Sequence, residues 1–132
     1  MGNPAYGLTA NLGRTDFSAA RERVAAALKD EGFGVLTEID VRATLKQKID
    51  VDFRDYLILG ACNPPLAHRA LSADPAIGLL LPCNIVIYRN DAEEIVVQIG
   101  RPTALFTVVD APGADQLAAE VEDRMRRVIA AL

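Results

Sequence analysis

The chain has 132 residues and a mass of 14.2 kDa, which is one domain's worth, spanning residues 1–132, and a globule of this size hides roughly 68% of the surface its unfolded chain exposes. With 51% apolar and 24% charged residues the composition excludes a disordered chain, and the nine Gly and seven Pro are too scattered for a collagen-like or linker-like one. Eighteen acids against 14 bases leave a net charge of −4, which disfavours partners held by phosphate neutralisation, so neither nucleic acid nor an anionic membrane is expected.

No basic segment, apolar run and small-residue cleavage site open the chain, and Met1-Gly2-Asn3-Pro4-Ala5-Tyr6 lacks the Ser or Thr of a myristoylation signal. The expected compartment is the cytoplasm, with the periplasm as the alternative if a leader has been removed. The longest strongly apolar stretches, Tyr56–Ala61 and Ile77–Leu81, fall far short of the roughly 18–20 residues of a spanning helix.

Alternation of Tyr6, Leu8 and Ala10 predicts a first strand at about Ala5–Leu12. From Asp16 to Glu31, Phe17, Ala20, Val24, Ala27 and Leu28 recur at helical spacing, with Thr15 or Asp16 to cap the start and Gly32 to end the run. Phe33–Asp40 reads as a second strand, and Val41–Ile49 as a short exposed helical turn. The unbroken run Tyr56–Ala61 predicts a strand covered on both faces or placed at a dimer contact. Asn63 suits an N-cap and Pro64 a first helical position, opening a helix that stops near Ser72. Ile85–Tyr88 and Ile95–Ile99 flank a polar break of hairpin length and should pair antiparallel. Ala104–Val109 suggests a short extra strand or an ordered loop. Leu117, Val121, Met125, Val128 and Leu132 trace one face of a last helix from about Ala114, opposite Glu120, Glu122, Asp123, Arg126 and Arg127.

Hairpin-linked strands with long helices near both ends favour an α+β fold: a two-layer sandwich in which a curved, mainly antiparallel sheet packs against two long helices. A doubly wound parallel sheet is the alternative, weakened because most adjacent strands lack a helical crossover.

Chemistry concentrates at one corner. Two cysteines, Cys62 and Cys83, are too few for a disulfide framework or a four-thiolate zinc site. If the strands ending at Cys62 and starting at Cys83 are antiparallel neighbours, both thiols fall at the same end of the sheet. Cys62 directly precedes a helix start, where unpaired N–H groups and the helix dipole would favour its thiolate. His68, the lone histidine, falls about one turn after Pro64 and could lean toward Cys62 as base or third ligand. Candidate catalytic groups are thus Cys62, Cys83 and His68, against the plainer reading of both cysteines as packed apolar side chains and His68 as a surface residue. A Cys62, Cys83 and His68 metal site would lack a fourth ligand, so no metal or other cofactor is expected.

Other chemistry is mostly excluded. There is no phosphate loop, Gly32-Phe33-Gly34 reads as a helix stop plus a strand start, and Ser18 and Ser72 lack a nucleophile-elbow setting. Asp50 with Asp52 and Glu93 with Glu94 sit in polar, turn-like stretches. The bases Arg42, Lys46, Lys48 and Arg54 interleave with Asp50, Asp52 and Asp55 as a solvated face.

Leu57-Ile58-Leu59-Gly60-Ala61-Cys62-Asn63-Pro64, then Ala67, Ala70-Leu71 and Gly78-Leu79-Leu80-Leu81-Pro82-Cys83-Asn84, resemble the bacterial and archaeal family called domain of unknown function 302. The resemblance covers nearly the whole chain. It implies a strand-helix-four-strand-helix order similar to the TATA-binding-protein topology, and usually a homodimer, without DNA binding, since fold does not carry function. Gly60, Cys62, Asn63, Pro64, Leu81, Pro82 and Cys83 carry over as motif members only.

Together these readings favour a non-enzymatic, homodimeric domain that binds or senses a small molecule in a pocket between the sheet and the long helices, with Cys62, Asn63, Pro64, Cys83 and Asn84 at its opening. The alternative is a thiol-dependent redox or metal-handling protein, with Cys62 attacking, Cys83 resolving and His68 as base. A structural dimer that scaffolds another protein is a third class.

Overall fold

The computed structural model describes residues 3–132, so the Met1-Gly2 step of the acylation reading lies outside the described residues. Five strands, β1 (Gly7–Asn11), β2 (Gly34–Asp40), β3 (Tyr56–Cys62), β4 (Cys83–Arg89) and β5 (Ile95–Gly100), form one sheet in the order β1-β5-β4-β3-β2. Every neighbouring pair is antiparallel, which removes the doubly wound alternative. Between them lie α1 (Phe17–Asp30), α2 (Val41–Ile49), α3 (Pro64–Ala73), the short α4 (Pro102–Leu105) and α5 (Ala114–Ala130), with 3-10 turns at Pro75–Leu80 and Phe106–Val108.

Local chemistry sets the boundaries. Asp16 begins α1 by accepting a hydrogen bond from the Ala19 amide, and Gly32, at φ +84°, reverses the chain into β2. Asp40 caps α2 through the Ala43 amide, and α2 buries none of its residues. α1 carries the chain from one sheet edge, β1, to the other, β2, and packs with α5 on a single face.

The register explains the core. Leu8, Ile99, Ile85 and Leu59 are successive cross-strand partners, and all four are buried against α1 and α5 with Val24, Leu28, Met125 and Val128. The alternate residues face away from the helices. There Tyr56 stacks on Tyr88 with ring centroids 5.4 Å apart, and Ile58 pairs with Val86. The apolar run of β3 therefore serves two faces, but helices cover only one, and Tyr56, Ile58, Val86 and Tyr88 stay half-buried.

Two expectations need correction. Ala104–Val109 is neither strand nor plain loop: it completes α4 and forms the following 3-10 turn, because Pro102 supplies a helix-start φ and Phe106 turns into a small apolar cluster. Glu122 is not on a solvated face. It is 5% exposed and accepts hydrogen bonds from the Thr103 amide at 3.1 Å, the Thr103 hydroxyl and Arg126 at 2.8 Å, with Arg101 at 3.4 Å. This carboxylate ties α5 to the chain leaving β5. Burial alone would raise its pKa; the donors from Thr103 and Arg126, with Arg101 nearby, outweigh burial and hold it below the ordinary 4.5.

A native value below the unfolded one means the ionised group adds stability that is whole above about pH 4.5 and is lost as acidification passes the lowered value. Glu122→Gln should lower stability at pH 7 by about 1.5–3 kcal/mol, the usual worth of hydrogen bonds to a charged group. In urea melts the gap between the two proteins should narrow as the pH falls below the glutamate range; a gap independent of pH would show that the charge contributes nothing.

Candidate functional site

β3 and β4 are antiparallel neighbours that a short hairpin could join, yet residues 63–82 between them build α3 and a 3-10 turn. This excursion covers one end of the sheet. Leu66, Ala70 and Ile77 from it pack with Leu117 of α5 as a second, smaller cluster apart from the main core. Between the excursion, the strand ends and α5 lies a cavity of about 310 Å³. Its walls come from Ala61 to Asn63, from Leu66, Ala67, Ala70 and Leu71 of α3, from Leu81 to Cys83, and from Phe106, Leu117 and Val121.

No charged side chain lines it. The expected pocket between the sheet and both long helices is thus displaced: the space under α1 is filled by core, and only α5 of the long helices reaches the cavity. β2 contributes through a register shift between Val35 and Thr37, whose extra residue, Leu36, lines the cavity while 67% exposed. Close packing of the strand ends rests on Gly60, where a Cβ would stand 2.2 Å from Thr37 Oγ1 and 2.6 Å from Pro82 Cγ.

The two cysteines do reach the same end of the sheet, but in different phase. Cys83 pairs with Ala61 and shares its helix-covered face, so Cys62, one residue on and paired with Gly34, belongs to the alternate face. Both thiols are free and both line the cavity. Burial, with a smaller contribution from neighbouring Cys62, pushes the Cys83 thiol up from 9.0 to about 11.

The expected activation of Cys62 by the helix start is not supported by the backbone. Pro64 and Pro65 bring no N–H, the Leu66 amide donates to Asn63 Oδ1, and the Ala67 amide donates to the Asn63 carbonyl. Every N–H of the first turn is absent or taken. His68 is exposed on α3 and does not line the cavity, so the proposed trio of Cys62, Cys83 and His68 is not assembled. Among the described residues no group of three or more His, Cys, Asp or Glu is placed to hold a metal ion.

Of the five residues expected at the opening, Cys62, Asn63 and Cys83 line the cavity, whereas Pro64 and Asn84 are exposed outside it. The sequence reading missed Leu36, Phe106, Leu117 and Val121. Helical periodicity marks Leu117 and Val121 as inward-facing, but nothing in the pattern tells a cavity wall from packed core. At the opposite end of the sheet, Arg42 and Arg89 both bind Asp55, Arg54 binds Asp91, and Lys46 binds Asp50 and Asp52, which leaves a neutralised, solvated surface.

Comparison with known proteins agrees with this architecture. The family described as domain of unknown function DUF302 matches residues 8–132. The chain is similar to a crystal structure of an uncharacterized conserved DUF302 protein from Bacillus stearothermophilus, at 30% identity and a TM-score of 0.87, over 97% of this chain and 98% of that one. No curated protein matches the chain.

A two-unit rise predicts about a hundredfold less Cys83 thiolate at pH 8 than a free thiol carries. In Cys62→Ala protein, iodoacetamide should therefore label Cys83 about a hundredfold more slowly in the folded state than in urea at that pH. A folded rate within a few-fold of the unfolded one would show that the thiol is not sealed.

Proposed function

The chain belongs to the DUF302 family, and we propose that it is a non-catalytic domain that takes a small apolar molecule into the cavity beneath α3 and works as a homodimer. One observation carries the binding reading: a preformed cavity of about 310 Å³, within the range of small-molecule sites, whose walls carry no charge and only a few polar atoms. A mouth is available at half-exposed Leu36 and Leu71, where an apolar guest can leave water gradually.

Support for catalysis is thin. Cys83 is held protonated, His68 lies outside, and Asp50 and Asp52 are engaged by Lys46 far from the cavity. The thiol-dependent alternative would need a thiolate where the first helical turn offers no free amide to stabilise one.

The dimer reading draws on the sheet face that no helix covers. Tyr56, Ile58, Val86 and Tyr88 form a half-buried apolar surface there, with Val96 buried beside Tyr88, the kind of patch that commonly marks an interface. Ile58→Arg should convert a dimer to a monomer in sedimentation measurements while leaving the far-ultraviolet spectrum unchanged; a wild-type monomer at tens of micromolar would remove the dimer from the reading.

For binding, octan-2-one added to isotope-labelled protein should shift amide resonances around Ala61, Leu66 and Val121. Ala67→Phe, which places a ring at the cavity wall, should weaken that binding by about tenfold, roughly 1.4 kcal/mol. Absence of shifts at saturating ketone would refute the binding reading.

A further inference from the structure

The excursion over the sheet end, residues 63–82, is hydrogen-bonded almost entirely to itself. The Leu66 amide donates to Asn63 Oδ1, the Ala67 amide to the Asn63 carbonyl, and the Asp74 amide to the Ala70 carbonyl. Asp74 in turn accepts from the amides of Ala76 and Ile77, and the Leu81 amide closes on the Gly78 carbonyl. Among the described residues a single hydrogen bond leaves the excursion, from Arg69 to Glu120 of α5 at 3.0 Å, between two solvent-accessible side chains. The sheet ladder stops short of it, with Gly34 opposite Cys62 and Ala61 opposite Cys83.

Packing is what holds this segment down, and there is little of it. Leu66, Ala70 and Ile77 meet Leu117 in the small cluster, and none of the three joins the main core. An ion pair as exposed as Arg69 with Glu120 adds little. Yet the segment is coherent in itself, because its 3-10 turn lies on α3, with Leu71 Cδ2 3.7 Å from where a Gly78 Cβ would stand. A segment whose hydrogen bonds travel with it, and whose buried contacts are few, opens at less cost than the strands it covers. Lifting it breaks no ladder bond and leaves the main core closed.

We infer that residues 63–82 are a lid that lifts as one unit from an intact sheet and uncovers the cavity. The use of the lid, to admit a guest past Leu66 and Ala70, rests on the binding reading above; its motion does not.

Native-state hydrogen exchange at pH 7 tests the motion without any ligand. Relative to their unfolded rates, the amides of Ala67, Ala70 and Leu71 should exchange about tenfold or more faster than those of Leu59 and Ile87. The three should also share one dependence on urea, shallower than that of the strand amides, as expected for a unit that exposes part of the surface. Ile85→Val, a small deletion in the main core, should speed the Leu59 and Ile87 amides about fivefold. It should leave the lid amides unchanged, since the core is intact whether the lid is up or down. Lid amides as slow as the strand amides, lid amides accelerated with them in Ile85→Val, or lid exchange without any urea dependence would each overturn the proposal. Octan-2-one at about ten times its dissociation constant should slow the lid amides about tenfold, because a guest under the lid holds it closed. A lid that opens as described but is indifferent to the ketone would keep the motion and remove the guest.

Discussion

The cavity end of the molecule depends on how Asn63 closes the first turn of α3. With two prolines following, the turn has no amide at its first two positions, and Asn63 supplies acceptors for the next two, its side-chain oxygen to Leu66 and its carbonyl to Ala67. This saturation has a chemical consequence. A helix start with free amides attracts anions; one whose amides are absent or taken presents carbon to its surroundings. The same residue must also fit beside Gly32, whose missing side chain and left-handed backbone make room for the amide. The helix-capping geometry, the end of α1 and the entry to β2 thus meet at one side chain.

The two layers have a different foundation. Four strands contribute one row of aliphatic residues, Leu8, Ile99, Ile85 and Leu59, and α1 and α5 lie across it. Because α1 connects the two edge strands, the sheet can be wholly antiparallel although the chain's first two strands are not neighbours. Residues 63–82 are therefore free of any topological duty, since β3 and β4 need only a turn between them. Their length is accounted for by the cover they place over the sheet end.

Much of the frame was legible because periodicity and local chemistry act within a few residues. The apolar spacing of Val24 and Leu28, the Asp16 cap, the Asn63-Pro64 start and the Gly32 stop all specify structure without knowledge of the partner surface. The misreadings share the opposite property. Glu122 lies beside charged neighbours in the sequence, and its burial depends on Arg101 and Thr103, some twenty residues upstream. Cys62 and Cys83 could be placed at one end of the sheet from strand order alone, but their phase follows from register, and register is set by the Ala61 and Cys83 partnership. The helix dipole argument for Cys62 counted Asn63 as a cap without following the consequence that a satisfied cap removes the free amides. Leu36 became a wall residue through a bulge that no alternation pattern announces.

The size and openness of the cavity bear on the proposal that it takes a guest. The cavity is open to solvent at Leu36 and Leu71, so it is not a sealed void, but its apolar walls forgo dispersion contacts that a packed core would make. α3 could relieve this by settling inward, but its position is limited at its start by the Asn63 cap and along its length by Leu66 and Ala70 against Leu117. Water can enter at the half-exposed Leu36 and Leu71, yet finds few groups to bond once inside. Any apolar guest that displaces such water recovers part of the dispersion contact that a packed core would have had. Small residues such as Ala61, Ala67 and Ala70 ring this space, where larger ones would close it.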